Sequence, residues 1–279
     1  MDKVEYIKSQ EWLINHVNDS NVKVVDCRFT LGKPELGKEA YAASHIPGAV
    51  HFDLEEDLSS LPMEHGGRHP LPDLQKLKEK LELSGIDSST TIISYDNGEG
   101  SYAARFWWLL TYMGLKNVYI LDGGFSKWVK AGNRVNQVIP TFNKTKFEID
   151  IQENMLATYE EVKDNLGSQS AILIDSRANS RFVGLEEPID KRPGHIPGAI
   201  NIVWEESLEN GYWKPLEKQK DRFTRIDAKK PIIVYCGSGV TATPNILALK
   251  AAGYENVKLY AGSYSDWVSY QENPVDLGE

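Results

Sequence analysis

The sequence predicts an α/β protein built from two tandem units, each a parallel sheet flanked by helices. The first observation behind this is an internal repeat. HIPGAV begins at His45 and HIPGAI at His195, 150 residues later, while VVDCR around Asp26 matches LIDSR around Asp175, 149 residues later. TIISYDNGEGS likewise matches PIIVYCGSGVT, setting Asp96 against Cys236, and GGFSKW matches GSYSDW, setting Trp128 against Trp267; these offsets are 140 and 139. A period of this size must be found before any other reading of the fold. The second observation is that short β-branched runs alternate with helical patterns, the mark of a parallel sheet covered on both faces. The third is length: 279 residues leave room for two domains of about 140.

The elements follow in order. Ser9 is placed to cap a first amphipathic helix, after which VKVVD, AVHF, TIISY and NVYIL read as strands and SYAARFWWLLTYMG as a helix. From about Asn133 to Met155 the chain is polar and shows no clear helical pattern. This places a linker at 141–155 between a first unit, 1–140, and a second, 156–279. In the second copy Thr158 and Glu161 form a capping box, AILID, AINIV, PIIVY and NVKLY read as strands, and TPNILALKAAG as a helix. Ligands of open α/β sheets bind beyond the carboxyl ends of the strands. That rule points to the residues just after Tyr95 and Tyr235.

Composition narrows the function. The chain is 41% hydrophobic and 25% charged, with a net charge of -9 and a pI of 5.3, so it offers no broad basic surface to nucleic acid or an acidic membrane. The N-terminal stretch has no apolar core of a signal sequence, and no run approaches the roughly 20 apolar residues that cross a bilayer. A cytoplasmic location is the expectation. The two cysteines, Cys27 and Cys236, are too few for a disulfide framework and show no zinc-ligand spacing. No metal or organic cofactor is expected.

The segment IIVYCGSGVTATPNILAL reads as a buried strand, a tight loop and a helix, with Cys236 at the strand end. Gly237 and Gly239 allow the backbone to turn its N–H groups inward, and Pro244 suits a first helical turn. A thiol under such donors, at a helix N-terminus, is expected to shift from about 8.5 toward roughly 3.5 to 7.5 and act as a nucleophile. Cys27 lies inside a strand-like run with no Gly-rich loop behind it, and Ser176 is its counterpart; packing explains it better. His45 and His195 occur in both copies and read as architecture. Asp26 and Asp175 are expected to cap or pair with Arg28 and Arg177, and Trp107, Trp108, Trp128 and Trp267 to fill the core.

The tandem repeat, the paired HIPGA motifs and the loop CGSGVTA resemble the rhodanese superfamily, specifically its two-domain thiosulfate and 3-mercaptopyruvate sulfurtransferases. The resemblance covers nearly the whole chain. It implies two rhodanese-like domains, the first catalytically silent, with Asp96 standing where the second carries Cys236. It also implies transfer of sulfur through a Cys236 persulfide to a thiol acceptor, such as thioredoxin or a low-molecular-weight thiol, or to cyanide. The loop Gly237, Ser238, Gly239, Val240, Thr241 is similar to that of the mercaptopyruvate enzymes, which implies that Gly237, Gly239, Val240 and Thr241 contact the substrate, and it carries no cation of the kind that would hold thiosulfate. Charge supports this lean, since thiosulfate needs two charges neutralised, whereas mercaptopyruvate needs one carboxylate clamped and a keto oxygen polarised.

By the same resemblance Arg181 is a carboxylate clamp, against the alternative of a solvated surface arginine. The family's second arginine has no clear match, and only Lys191 or Arg192 could stand in. Ser238 resembles a loop serine that moves a proton or holds the carbonyl, against the alternative of a loop cap. His69, in GGRHPLP, matches a family histidine that Glu55 or Asp53 would orient, against that of an exposed loop histidine. Two further readings compete with a mercaptopyruvate enzyme: the same mechanism with thiosulfate, and a relay module that takes persulfide from a partner. The loop speaks against a phosphatase, because the pattern C-x5-R would put arginine at Ala242.

Overall fold

The computed structural model describes residues 6–279; the first five residues of the N-terminal unit lie outside that range. The two units repeat one topology. In the first, strands β1 (Ile7–Lys8), β2 (Val22–Asp26), β3 (Ala49–His51), β4 (Thr91–Tyr95) and β5 (Val118–Leu121) form a sheet in the order β1-β5-β4-β2-β3. In the second, β6 (Leu156–Ala157), β7 (Ile172–Asp175), β8 (Ile200–Asn201), β11 (Ile232–Tyr235) and β12 (Val257–Tyr260) give β6-β12-β11-β7-β8. Every pairing within these two sheets is parallel. Between β8 and β11 the second unit adds an antiparallel hairpin of β9 (Leu208–Glu209) and β10 (Tyr212–Trp213).

Helices cover the sheets: α1 (Gln10–His16), α2 (Glu35–Ala43), α3 (Leu74–Leu83), α4 (Ser101–Tyr112) and α5 (Gly124–Lys130) in the first unit, and α6 (Tyr159–Ser168), α7 (Asn179–Phe182), α8 (Leu216–Arg222), α9 (Thr243–Ala251) and α10 (Ser263–Trp267) in the second. The caps read from sequence are formed: Ser9 Oγ accepts the Trp12 N–H, and Thr158 and Glu161 complete a reciprocal capping box. Helices α4 and α9 are buried almost all round, from Ala103 to Leu110 and from Thr243 to Leu249. A helix apolar on every side belongs in an interior. These two pack together, and one hydrophobic core, including Trp107, Trp108, Ile246 and Leu247, runs through both units. No helix among the described residues is long and apolar enough to cross a membrane.

The repeated motifs prove to be fastenings. In register, Asp26 pairs with Tyr95 and Asp175 with Tyr235 at the carboxyl ends of the strands. Each aspartate takes a forked ion pair from the arginine two residues on, Arg28 or Arg177, at 2.6 Å. The HIPGA isoleucine N–H groups bond the tyrosine hydroxyls, Ile46 to Tyr95 at 3.3 Å and Ile196 to Tyr235 at 3.1 Å. The histidine backbones pair with the tail of each unit, His45 with Asn136 and His195 with Asp276. Both histidines, both aspartates and the four tryptophans are buried.

The stretch 141–155 holds no helix beyond a single 3-10 turn at Glu153–Met155, but it is not a loose tether. Phe147 is buried, and the N–H groups of Thr145, Asp150 and Gln152 bond to Glu82, Met113 and Tyr112 of the first unit.

Candidate active site

Strand β11 delivers Cys236 into a loop that α9 closes. The thiol is buried, and the backbone around it is fixed from three sides: the Cys236 N–H donates to Ser263 Oγ at 3.1 Å, while Tyr264 and Ser265 donate to the carbonyls of Cys236 and Gly237. Among the described residues one N–H reaches the sulfur, that of Gly239 at 3.2 Å. The expected ring of donors is thus a single donor in this state. Gly239 must be glycine twice over: its φ is +76°, and a Cβ there would stand 2.3 Å from the Ala261 carbonyl oxygen. Pro244 lies in the first turn of α9 as expected.

The other loop residues divide. Ser238 is buried, and its Oγ lies 2.8 Å from His69 Nδ1. Gly237 faces the cations described below. Val240 was expected among the substrate contacts, but its side chain lies in the shared core and its carbonyl accepts from Thr243, so it supports the loop from beneath. Thr241 is half-buried at the start of the descent into α9.

His69 comes from the first unit on a segment docked against the second. Gly66 N–H donates to Asp266 Oδ1 at 2.7 Å and Arg68 N–H to Ser265 Oγ at 3.1 Å. Gly67, with φ +82°, approaches so closely that a Cβ would stand 2.3 Å from the Gly262 carbonyl oxygen. His69 is buried, and burial, with lesser contributions from Arg105 and Arg68, pushes it down to about 4. The imidazole is neutral at physiological pH. Neither suggested carboxylate orients it: Glu55 is exposed, and Asp53 Oδ1 accepts the N–H groups of Glu55 and Glu56 while Oδ2 has no partner. Among the described residues no carboxylate hydrogen-bonds His69.

Two residues that sequence reasoning missed complete the site. Arg105, fully buried on α4, donates to the carbonyls of Gly239 (3.1 Å), His69 (3.2 Å) and Leu58 (3.3 Å), tying the loop to the segment that covers it. Burial lowers its pKa to about 10, with the Cys236 sulfur opposing, so it remains a cation. Arg68 is the other. A Cβ added at Gly237 would meet Arg68 Nη2 at 2.8 Å and the Arg181 terminal nitrogens at 3.6 and 3.7 Å, so both guanidinium groups stand over the residue next to Cys236. Arg181 is therefore at the site rather than on an open surface. Arg192 does not supply the second cation; it donates to the carbonyls of Asn273 and Tyr270. Lys191 is exposed on the rim of a cleft of about 190 Å³ that Arg68 and Asp190 also line.

The second cysteine is a different object. Cys27 is packed in the core, and burial, with Asp26 adding to it, pushes its thiol well up. A protonated thiol in that setting is a small apolar side chain.

Fold and site together define a two-unit α/β enzyme with a buried strand-end cysteine under arginines. A family profile for the rhodanese-like domain matches residues 9–131 and again 158–270. The chain is 38% identical to the "Probable 3-mercaptopyruvate sulfurtransferase" of Pseudomonas aeruginosa over 100% of both sequences. It is 32% identical to the thiosulfate sulfurtransferase of Gallus gallus, covering 93% of this chain and 92% of that one. Among solved structures, the 3-mercaptopyruvate sulfurtransferase SseA from Escherichia coli superposes with a TM-score of 0.81 at 30% identity, over 93% of this chain and 99% of that chain. The chain belongs to the rhodanese family, as one of its two-domain sulfurtransferases.

Proposed function

We propose that the enzyme moves sulfur from 3-mercaptopyruvate to a thiol through a persulfide on Cys236. The observation that carries this is the convergence of Arg181 and Arg68 on Gly237, beside Cys236, with Ser238, two residues beyond the cysteine, paired with a neutral His69. Two guanidinium forks suit a carboxylate. The hydroxyl–imidazole pair suits a keto oxygen that gains charge as the carbon–sulfur bond breaks.

In the first step the Cys236 thiolate attacks the donor sulfur. The sulfur–sulfur bond forms, the carbon–sulfur bond breaks, and its electron pair passes to the donor carbon as the enolate of pyruvate, which then takes a proton. In the second step an acceptor thiolate attacks the outer sulfur and releases Cys236. Thioredoxin, a low-molecular-weight thiol or cyanide can serve as acceptor. The first unit, 1–140, is silent because the Asp96 carboxylate, whose oxygens accept four backbone N–H bonds, is a weak nucleophile toward sulfur and cannot carry it as a persulfide; 141–155 joins it to the working unit, 156–279.

Incubation with 3-mercaptopyruvate and with thiosulfate, each with a thiol acceptor, tests this while mass spectrometry follows Cys236. Pyruvate release, a one-sulfur gain on Cys236, and loss of both in Cys236→Ser are expected. Faster turnover with thiosulfate would overturn the donor, pyruvate release by the serine variant would overturn the mechanism, and no sulfur gain from either donor would leave only the relay reading.

A further inference from the structure

The site already contains a carboxylate where a donor carboxylate would go. Asp190, buried with its side chain 2% exposed, places one oxygen on Arg68 Nη1 and the other on Arg181 Nη2, the latter at 2.8 Å. It bridges the same two guanidinium groups that stand over Gly237. Among the described residues Asp190 is the one hydrogen-bond partner of the Arg68 guanidinium. Arg181 also binds Glu187 at 2.7 Å, and Glu187 reaches Arg177, which holds Asp175. The connected cluster therefore has three arginines, Arg68, Arg177 and Arg181, and three carboxylates, Asp175, Glu187 and Asp190. Its net charge is zero.

Such a cluster resists insertion of a further anion, because a buried charge without a partner is costly. Exchange avoids the cost. If Asp190 turns into the adjoining cleft and a monoanion takes its place, both arginines stay paired and the cluster stays neutral. The same exchange with a dianion leaves one uncompensated negative charge in a low-dielectric setting. We propose that Arg68, from the first unit, is a donor-binding residue, and that Asp190 is a tethered carboxylate holding the donor's place between Arg68 and Arg181. Asp190 is thereby a specificity determinant that admits monoanions in preference to dianions. This rests on the reading of Cys236 as a nucleophile served by a carboxylate donor.

The test uses alkylation of Cys236 in the full chain, which needs no sulfur donor. The thiolate displaces iodide from iodoacetate, a monocarboxylate, or from iodoacetamide, its neutral counterpart, and the ratio of the two rates reports the anion subsite independently of thiol reactivity. In Asp190→Asn the ratio should rise about tenfold and in Arg68→Met fall about tenfold, each equal to about 1.4 kcal/mol, with Arg68→Lys restoring most of the loss. Asp190→Asn should also improve the KM for thiosulfate more than that for 3-mercaptopyruvate. An unchanged or lower ratio in Asp190→Asn, or an unchanged ratio in Arg68→Met, overturns the proposal; should Arg68→Met not fold, Asp190→Asn and Arg68→Lys decide it. Absence of turnover with 3-mercaptopyruvate in the unaltered enzyme would overturn the proposed reaction and leave the alkylation ratio still readable.

Discussion

The loop after β4 and the loop after β11 leave equivalent strand ends, yet they hold different groups under different covers. In the first unit the Asp96 carboxylate accepts four backbone N–H bonds, from Gly98, Gly100, Tyr102 and Ala103, at 2.9 to 3.2 Å. In the second the Cys236 sulfur accepts one. Aspartate reaches one atom further from its Cβ than cysteine does, and a cysteine persulfide has that same reach. The filled cradle of the first unit thus gives a picture of how the second could hold an added anionic sulfur. The covers differ as well. Over the first loop lies the β9–β10 hairpin, with Trp213 against Gly100 and Tyr212 against Gly123; over the second lie Arg68 and His69. Each unit covers the other's loop, one with aromatic rings and the other with an arginine and a histidine.

The sharpest way to break this comparison is to exchange the two groups. If cover and cations decide function, placing a thiol in the first loop gains nothing. The double variant Asp96→Cys, Cys236→Ser should be at least about a thousandfold below the unaltered enzyme in pyruvate release, as expected for a lost nucleophile, and should show no sulfur gain at position 96. Turnover recovered by the double variant would mean that the loop alone suffices.

A second consequence concerns stability. Removing the Asp96 carboxylate leaves four N–H groups of a closed loop without acceptors, and Asp96→Ala should cost about 4 kcal/mol, less than four full penalties because water reaches part of the loop. Cys236→Ala removes one weak acceptor and a small side chain, and should cost about 1 to 2 kcal/mol. Urea unfolding of both variants checks the order. A larger loss at position 236 would contradict the view that the first cradle is filled and the second is waiting.

What could be read from sequence follows from how far apart the relevant residues are. The sheets, the caps at Ser9 and Thr158, and the buried helices α4 and α9 rest on patterns within ten or so neighbours, and the repeat doubled each signal. The edge strands β1 and β6 have two residues each, too few for any alternation to show. The hairpin has a local signal of its own: Asn210-Gly211 is a strong turn pair, and both residues have positive φ, 55° and 77°. At the site, Cys236 and its loop announce themselves locally. Arg68 and Arg105 do not, because they meet Gly237 and Gly239 from the other unit, across more than a hundred residues of chain. Near Arg181 the sequence offers only Lys191 or Arg192 as a second cation, whereas the geometry supplies Arg68, from the segment that also carries His69.

That segment yields a further predicted effect, through pH. His69 is held neutral by burial beneath Arg105 and Arg68, with a folded pKa of about 4 against about 6.5 in the unfolded chain. Between these values the unfolded chain takes up the proton and the folded chain does not, so stability falls as pH falls. The contribution is complete above pH 6.5 and is progressively lost toward pH 4; from pH 7 to pH 5 it amounts to about 2 kcal/mol. His69→Gln removes this dependence, so the difference in unfolding free energy between the unaltered enzyme and the variant should narrow by that amount over the same interval. A difference that stays constant with pH would place His69 in contact with water and detach it from the closed cover over Cys236, the feature that separates the second loop from the first.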